Sequence, residues 1–221
     1  MKVRIWDLPT RLFHWLLALL IIGSWCTMEL AEPLGMDLSV WHARIGYSVL
    51  TLILFRILWG FFGGRYARFA SFVLGPGAVL AYLRGGKAGG PGHNPLGALS
   101  VLALLFVVLL QACTGLFSND DIAFEGPLAK LVSNALSGLM TKIHHINFNV
   151  LLVLVVLHLA AIIWYRLRKR EKLVKAMLTG DKELDDGQAG VQLAADGATL
   201  RIGALALLAL CAGFVYWLVH L

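Results

Sequence analysis

The sequence predicts an all-α integral membrane protein, and three observations carry that expectation. Of its 221 residues, 59% are hydrophobic and only 14% are charged, far from the balance of a soluble domain. Five stretches, at 12–28, 41–62, 96–117, 146–165 and 202–220, are largely apolar. A hydrocarbon core of about 30 Å takes about 20 such residues in a helix. No strand-length alternation of the barrel kind recurs, and a helix satisfies its own backbone polar groups in lipid.

The first span is short as drawn and is expected to run on toward Ala31. Lys2, Arg4 and Arg11 ahead of it resemble the head of a secretory signal, but Glu29 and Glu32 stand where a small-residue cleavage site belongs. Retention of this span is therefore expected. Charge then alternates between connections. The first holds Glu29, Glu32 and Asp37, and the second Arg65, Arg68, Arg84 and Lys87. The third sets Asp120, Asp121 and Glu125 against Lys130 and Lys142, and the fourth is led by Arg166, Arg168, Lys169 and Arg170. By the positive-inside rule the N-terminus is cytoplasmic and the C-terminus periplasmic, in a bacterial inner membrane. The net charge of +6 is thus a topology signal and no nucleic-acid footprint. Cys26, Cys113 and Cys211 lie in or near apolar spans, outside any C-x-x-C pattern, and read as packing residues.

In the second connection, apolar residues from Phe69 to Leu83 flank Gly75-Pro76-Gly77 and predict one or two short interfacial helices. Glycines from Gly85 to Gly97 predict a flexible approach to the third span. Residues 118–142 can form a small outer cap, with Gly126-Pro127 opening a helix. Residues 167–199 mix acids and bases and read as a solvated linker. The domain organisation expected is a four-helix unit at 1–166, a cytoplasmic linker at 167–200 and a fifth transmembrane helix at 201–221.

Seven histidines occur, at 14, 42, 93, 144, 145, 158 and 220. A coordinating side chain inside a membrane is a functional candidate by default, although a lone one is more often a packing residue. The predicted orientation sorts these by depth. His14 begins the first span on the inner side and His42 the second on the outer side. The fourth span brings in His144 and His145 at the outer side, with His158 deeper. Two facing imidazoles at each of two depths is what two bis-histidine haems require. From His144 to His158 is 14 residues, which leaves them about 40° apart around a helix and about 21 Å apart along it. His145 is about 140° from His158 by the same rule. The expected axial pairs are therefore His14/His158 and His42/His144.

Arg56 follows His42 by 14 residues and repeats the same-face arrangement at the inner level. No acid lies in the five core spans, so a haem propionate is its expected partner; the alternative is snorkelling to the inner headgroups. Gly46, one turn after His42, would admit a flat macrocycle near the backbone. His145 reads as a capping or interfacial residue, His220 as interfacial, and His93 as solvated, with a quinone pocket as the alternative. Tryptophans near the span ends fit an aromatic belt.

These segments carry a family likeness: VRIWDLPTRLFHW at 3–15, WHARIG at 41–46, RILWG at 56–60, GHNPLG at 92–97 and HHINFNVLLVLVVLH at 144–158. The chain resembles the bacterial cytochrome b561 superfamily, in particular the branch of b-type cytochrome subunits that serves nickel–iron hydrogenases. The resemblance implies a four-helix haem core, quinone chemistry near one face and electron exchange with a redox partner at the other. Position by position, its haem ligands fall on His14, His42, His144 and His158. Many relatives carry glutamate where His145 stands, and the chain beyond Tyr165 departs from the smallest members, which makes the fifth helix a candidate docking element.

The function expected is transmembrane electron transfer through two haem b groups, between the quinone pool and a soluble or membrane-associated redox protein such as a cytochrome c or a hydrogenase-like subunit. The alternatives are a haem-bearing anchor for a soluble oxidoreductase, a stand-alone quinol oxidase, and a histidine-based metal-ion or proton transporter. The transporter predicts buried carboxylates that the apolar spans do not contain.

Overall fold

The computed structural model describes residues 2–86, 90–120, 124–183 and 193–221. Among the described residues, five long helices are apolar enough to cross a membrane: α1 (Leu8–Glu29), α3 (Ser39–Phe62), α5 (Pro95–Phe117), α6 (Asn134–Arg168) and α8 (Ala198–Leu218). Between them lie the short helices α2 (Ala31–Leu34), α4 (Pro76–Leu83) and α7 (Leu173–Thr179), and two strands, β1 (Lys2–Arg4) and β2 (Asp181–Glu183). Only 6% of the apolar window of α1 is buried within the chain, against 44% for α3. The second span is the most buried within the chain, and the other helices leave most of their apolar surface uncovered, as lipid-facing helices do.

Local chemistry sets the helix starts. The Asp7 carboxylate accepts from the Thr10 N–H at 2.8 Å and caps α1, with Pro9 in the first turn. Asn94 Oδ1 accepts from Gly97 N–H at 2.7 Å and caps α5, whose first residue is Pro95. α6 begins twelve residues before the apolar run that predicted it, because its first turns are polar. Ser137 Oγ donates to Phe117 O at 2.8 Å, and Thr141 Oγ1 accepts from Asn119 N–H at 3.0 Å. An apolarity count cuts off such turns. Gly126-Pro127 leads into a 3-10 turn at Ala129–Leu131 and not into the helix expected there. The second connection holds short helical segments, a 3-10 turn at Phe69–Ser71 and α4.

Contacts divide the chain into two compact units. The first comprises Met1–Phe13, Arg56–Leu104 and Leu154–Leu205. In it, β1 pairs antiparallel with β2, Val3 opposite Lys182, and the N–H groups of Ile5 and Trp6 both donate to Gly180 O. Val3, Ile5 and Trp6 bury against Tyr66, Ala176 and Ala194. Arg4 forms ion pairs with Asp181 at 2.7 Å and Asp196 at 2.9 Å. Asp196 also accepts from the Leu8 N–H at 3.1 Å and pairs with Arg201 at 3.2 Å. The stretch read as a solvated linker is therefore partly built structure. The residues that order it, Val3 and Ile5, lie some 180 positions earlier, beyond the reach of local composition. Residues 184–192 of that stretch lie outside the described residues.

The second unit comprises His14–Phe55, Leu105–Val153 and Ala206–Leu221. Its core joins Leu50 of α3, Leu116 of α5, Leu128 and Val215 of α8, with Tyr47, Leu109 and Leu218 packed around them. The fifth helix is thus a packed member of this unit. Cys26, Cys113 and Cys211 are free thiols, Cys211 fully buried.

Asp196 joins the start of α1 to the start of α8, and burial would raise its carboxyl were it not for hydrogen bonds from Arg201, Leu8 and Arg4, which hold it below the usual range. Asp196→Ala should destabilise the protein by about 1–3 kcal/mol, the usual loss for charged hydrogen bonds. Arg201→Gln, at an exposed pair, should lose less than about 1 kcal/mol. Thermal unfolding in detergent checks both; equal effects would show that Asp196 is no joint.

Candidate functional site

Two imidazoles from different helices meet in the second unit. His42 of α3 and His144 of α6 have ring centroids 6.3 Å apart and planes at 77°. Each Nδ1 is held at an oxygen. His42 Nδ1 donates to Ser24 O at 3.1 Å, with the hydroxyls of Thr27 at 3.1 Å and Ser24 at 3.2 Å beside it. His144 Nδ1 donates to Gln111 O at 3.0 Å, with the Thr114 hydroxyl at 3.2 Å. A backbone carbonyl only accepts, so each Nδ1 bears the proton and each Nε2 keeps its lone pair. That is the tautomer a metal takes, with the carbonyl as the partner that fixes it.

The spacing suits a single ion between the rings. A metal–imidazole bond of about 2 Å plus roughly 1.1 Å from nitrogen to ring centre, doubled, gives about 6.2 Å, close to the 6.3 Å observed. The surroundings fit a flat cofactor. A Cβ at Gly46 would meet nothing within 4 Å, so the backbone one turn from His42 is open. A Cβ at Gly115 would lie 3.2 Å from His144 Cε1, so the glycine admits the ring. Among the described residues no three His, Cys, Asp or Glu side chains converge.

The ring that meets His42 is that of His144. His145 is exposed and lies edge-on to His144 at 6.3 Å. His14 falls in the second unit, half-buried, edge-on to Trp15 at 5.0 Å. His158 falls in the first unit, half-buried in the uninterrupted helix that also carries His144.

The first unit gathers the remaining motif residues. Arg56 is 3% exposed, so it does not snorkel. Its guanidinium lies over the Phe69 ring at 5.3 Å, and Gly60, one turn on, leaves room for that ring, with which a Cβ would collide. Its Nη1 has no hydrogen-bond partner among the described residues. An acid does act on it electrostatically, contrary to the expectation from the spans. That acid is Asp7, which stands just ahead of α1 and so escaped a search of the spans alone. Burial raises the Asp7 carboxyl, while hydrogen bonds from Thr10 and Trp59 oppose the rise. Gly64 lies beside it, and a Cβ there would force the carboxylate to shift.

His93 is not solvated as expected. Its ring contacts Trp6 at 4.7 Å and Phe72 at 4.6 Å, and its Nδ1 is sealed from solvent without a partner among the described residues. The sequence placed it in a glycine-rich loop and could not show which aromatic rings that loop folds against. Several functional neighbours were also missed. Asn94 Nδ2 donates to the Tyr165 hydroxyl at 2.9 Å, and that hydroxyl meets Tyr82 at 2.7 Å. Ser24 with Thr27, and Gln111 with Thr114, are polar pairs one helical turn apart inside apolar spans. That spacing was the available signal.

Fold and site define a class: a multi-pass helical membrane protein that brings together paired imidazoles, each with a lone pair free for a metal. The model of the prokaryotic cytochrome b561 family matches residues 5–180, and the chain belongs to that family. No curated protein and no solved structure gives a match. The chain is accordingly a b-type cytochrome of the membrane, carrying electrons across it through haem.

Burial, with the nearby charges of Arg56 and Lys182, pushes the His93 imidazole from 6.5 down to about 3. The folded protein then keeps His93 neutral where the unfolded chain protonates it. Its contribution is fully present above the ordinary value and is lost as pH falls toward the folded one. From about pH 7.5 to about pH 5, His93→Gln should lose less thermal stability than the parent protein. Parallel acid profiles would contradict the burial of this ring.

Proposed function

We propose that the chain binds two haem b groups and links the quinone pool to a redox partner protein. The observation that carries this reading is the His42–His144 pair, two neutral rings 6.3 Å apart with both Nδ1 protons committed to carbonyls. His42 and His144 would hold one haem, and His14 and His158 would hold the other, on the strength of their spacing and of the family's motif positions. Bound there, haem supplies a one-electron ferric–ferrous couple whose potential follows ligation, burial and nearby charge.

The protein's own part is orientation and electrostatics. Ser24 and Gln111 carbonyls fix the ligand tautomers, and Gly46 and Gly115 leave space at the ring level. Arg56, buried with an uncommitted N–H, offers a charge-assisted bond to a propionate. The charge alternation supports an N-terminus in the cytoplasm and a C-terminus in the periplasm of a bacterial inner membrane. The haem-bearing portion is residues 1–166, and the fifth helix, packed through Val215, suits a role in assembly with a hydrogenase-like subunit or a cytochrome c.

Pyridine haemochrome assay of purified protein should give two haems per chain. His144→Ala should leave one, and His145→Ala should leave both. Loss of a haem in His145→Ala with none lost in His144→Ala would overturn the assignment.

A further inference from the structure

Asn147 of α6 is 5% exposed, whereas Asn149, two residues on, is exposed. A carboxamide there must find partners or carry a desolvation penalty. It finds two, both on α5. Its Nδ2 donates to Val107 O at 2.9 Å and to Gln111 Oε1 at 2.7 Å. Val107, Gln111 and Thr114 lie along one face of α5, at steps of four and three residues. His144 precedes Asn147 by three residues on α6 and grips the same strip higher up, at Gln111 O and the Thr114 hydroxyl.

We propose that Asn147 is a positioning residue for the His144 ligand, holding α6 in register against α5 so that the ring keeps its angle and its Nδ1 bond. The inference rests on the assignment of His42 and His144 as a haem pair. Gly115 sets how closely the ring approaches α5, because a Cβ there would crowd it at 3.2 Å. Approach alone leaves α6 free to slide or turn. The two Asn147 bonds remove that freedom, and a slide would part His144 Nδ1 from Gln111 O. A weaker Nδ1–H···O bond makes the imidazole a poorer electron donor, and the ferric state loses more than the ferrous one. The His42 side, anchored on α1 through Ser24 and Thr27, is untouched and serves as the internal reference.

The test uses the full-length protein with haem. Asn147→Leu keeps the volume and suits an apolar helix, but lacks both donors. Gln111→Leu removes the side-chain acceptor and leaves the Val107 bond. Asn147→Leu should weaken haem binding at this pair by roughly 10–100-fold, the range for outer partners of metal ligands. It should also raise the midpoint potential of that haem and shift its low-spin ferric resonance. Gln111→Leu should do the same more weakly, and it decides the matter alone if Asn147→Leu does not fold. Parental spectra and potentials in the folded variants would overturn the proposal. His144→Ala separates this failure from that of the underlying reading. If His144→Ala leaves every low-spin signal intact, the ligand assignment falls and this inference with it. If it removes one while the Asn147 and Gln111 variants are unchanged, only the positioning role falls.

Discussion

A neutral imidazole inside a membrane helix has one N–H to satisfy, and the acceptor that takes it decides what the other nitrogen can do. In the second unit that acceptor is a main-chain carbonyl of a neighbouring helix, Ser24 O for His42 and Gln111 O for His144. A carbonyl cannot donate, so the tautomer is fixed by geometry and needs no charged partner. The hydroxyls of Thr27 and Thr114 crowd the same protons, and each also hydrogen-bonds the carbonyl its histidine uses, at 2.6 Å and 3.1 Å. The apolar packing around Leu50, Leu116 and Val215 keeps these helices close enough for bonds about 3 Å long to persist. An iron porphyrin demands little more of its protein than two such rings and a slot.

The first unit handles the opposite problem, that of charge at the edge of an apolar region. Arg4, Asp181, Asp196 and Arg201 neutralise one another in a chain of ion pairs that ties the first residues to β2 and to the start of α8. Partly exposed pairs contribute little singly, so the four-stranded hold of hydrogen bonds on Asp196 matters more than their number. Arg56 and His93 differ, being two nitrogen-bearing groups set among Phe69, Phe72 and Trp6 with polar atoms uncommitted. A buried cation with spare hydrogen-bonding capacity suits an anionic group of a cofactor better than it suits a folding core.

The spans were legible because lipid imposes a length and a composition that few other settings do. The spacing of His144 and His158 was legible because an unbroken helix turns predictably, and Asn134–Arg168 is unbroken. Whatever depended on distant segments meeting was not legible. β1 reads as three ordinary residues until Asp181–Glu183 is laid beside it. His93 sits in a loop whose glycines suggested freedom, yet Trp6 and Phe72 enclose it. The influence of Asp7 on Arg56 is not legible in the spans, because Asp7 stands one residue outside α1. Asn147 and Asn149 are two amides at the start of a long apolar run, and nothing local tells which of them turns to partners inside.

The most direct test of the central claim is a density map of the purified membrane protein at a resolution that shows side chains. The account predicts a porphyrin between His42 and His144, with both Nε2 atoms on its iron and both Nδ1 atoms still on the Ser24 and Gln111 carbonyls. A map in which those two rings touch each other with nothing between them, or turn to lipid, would contradict it.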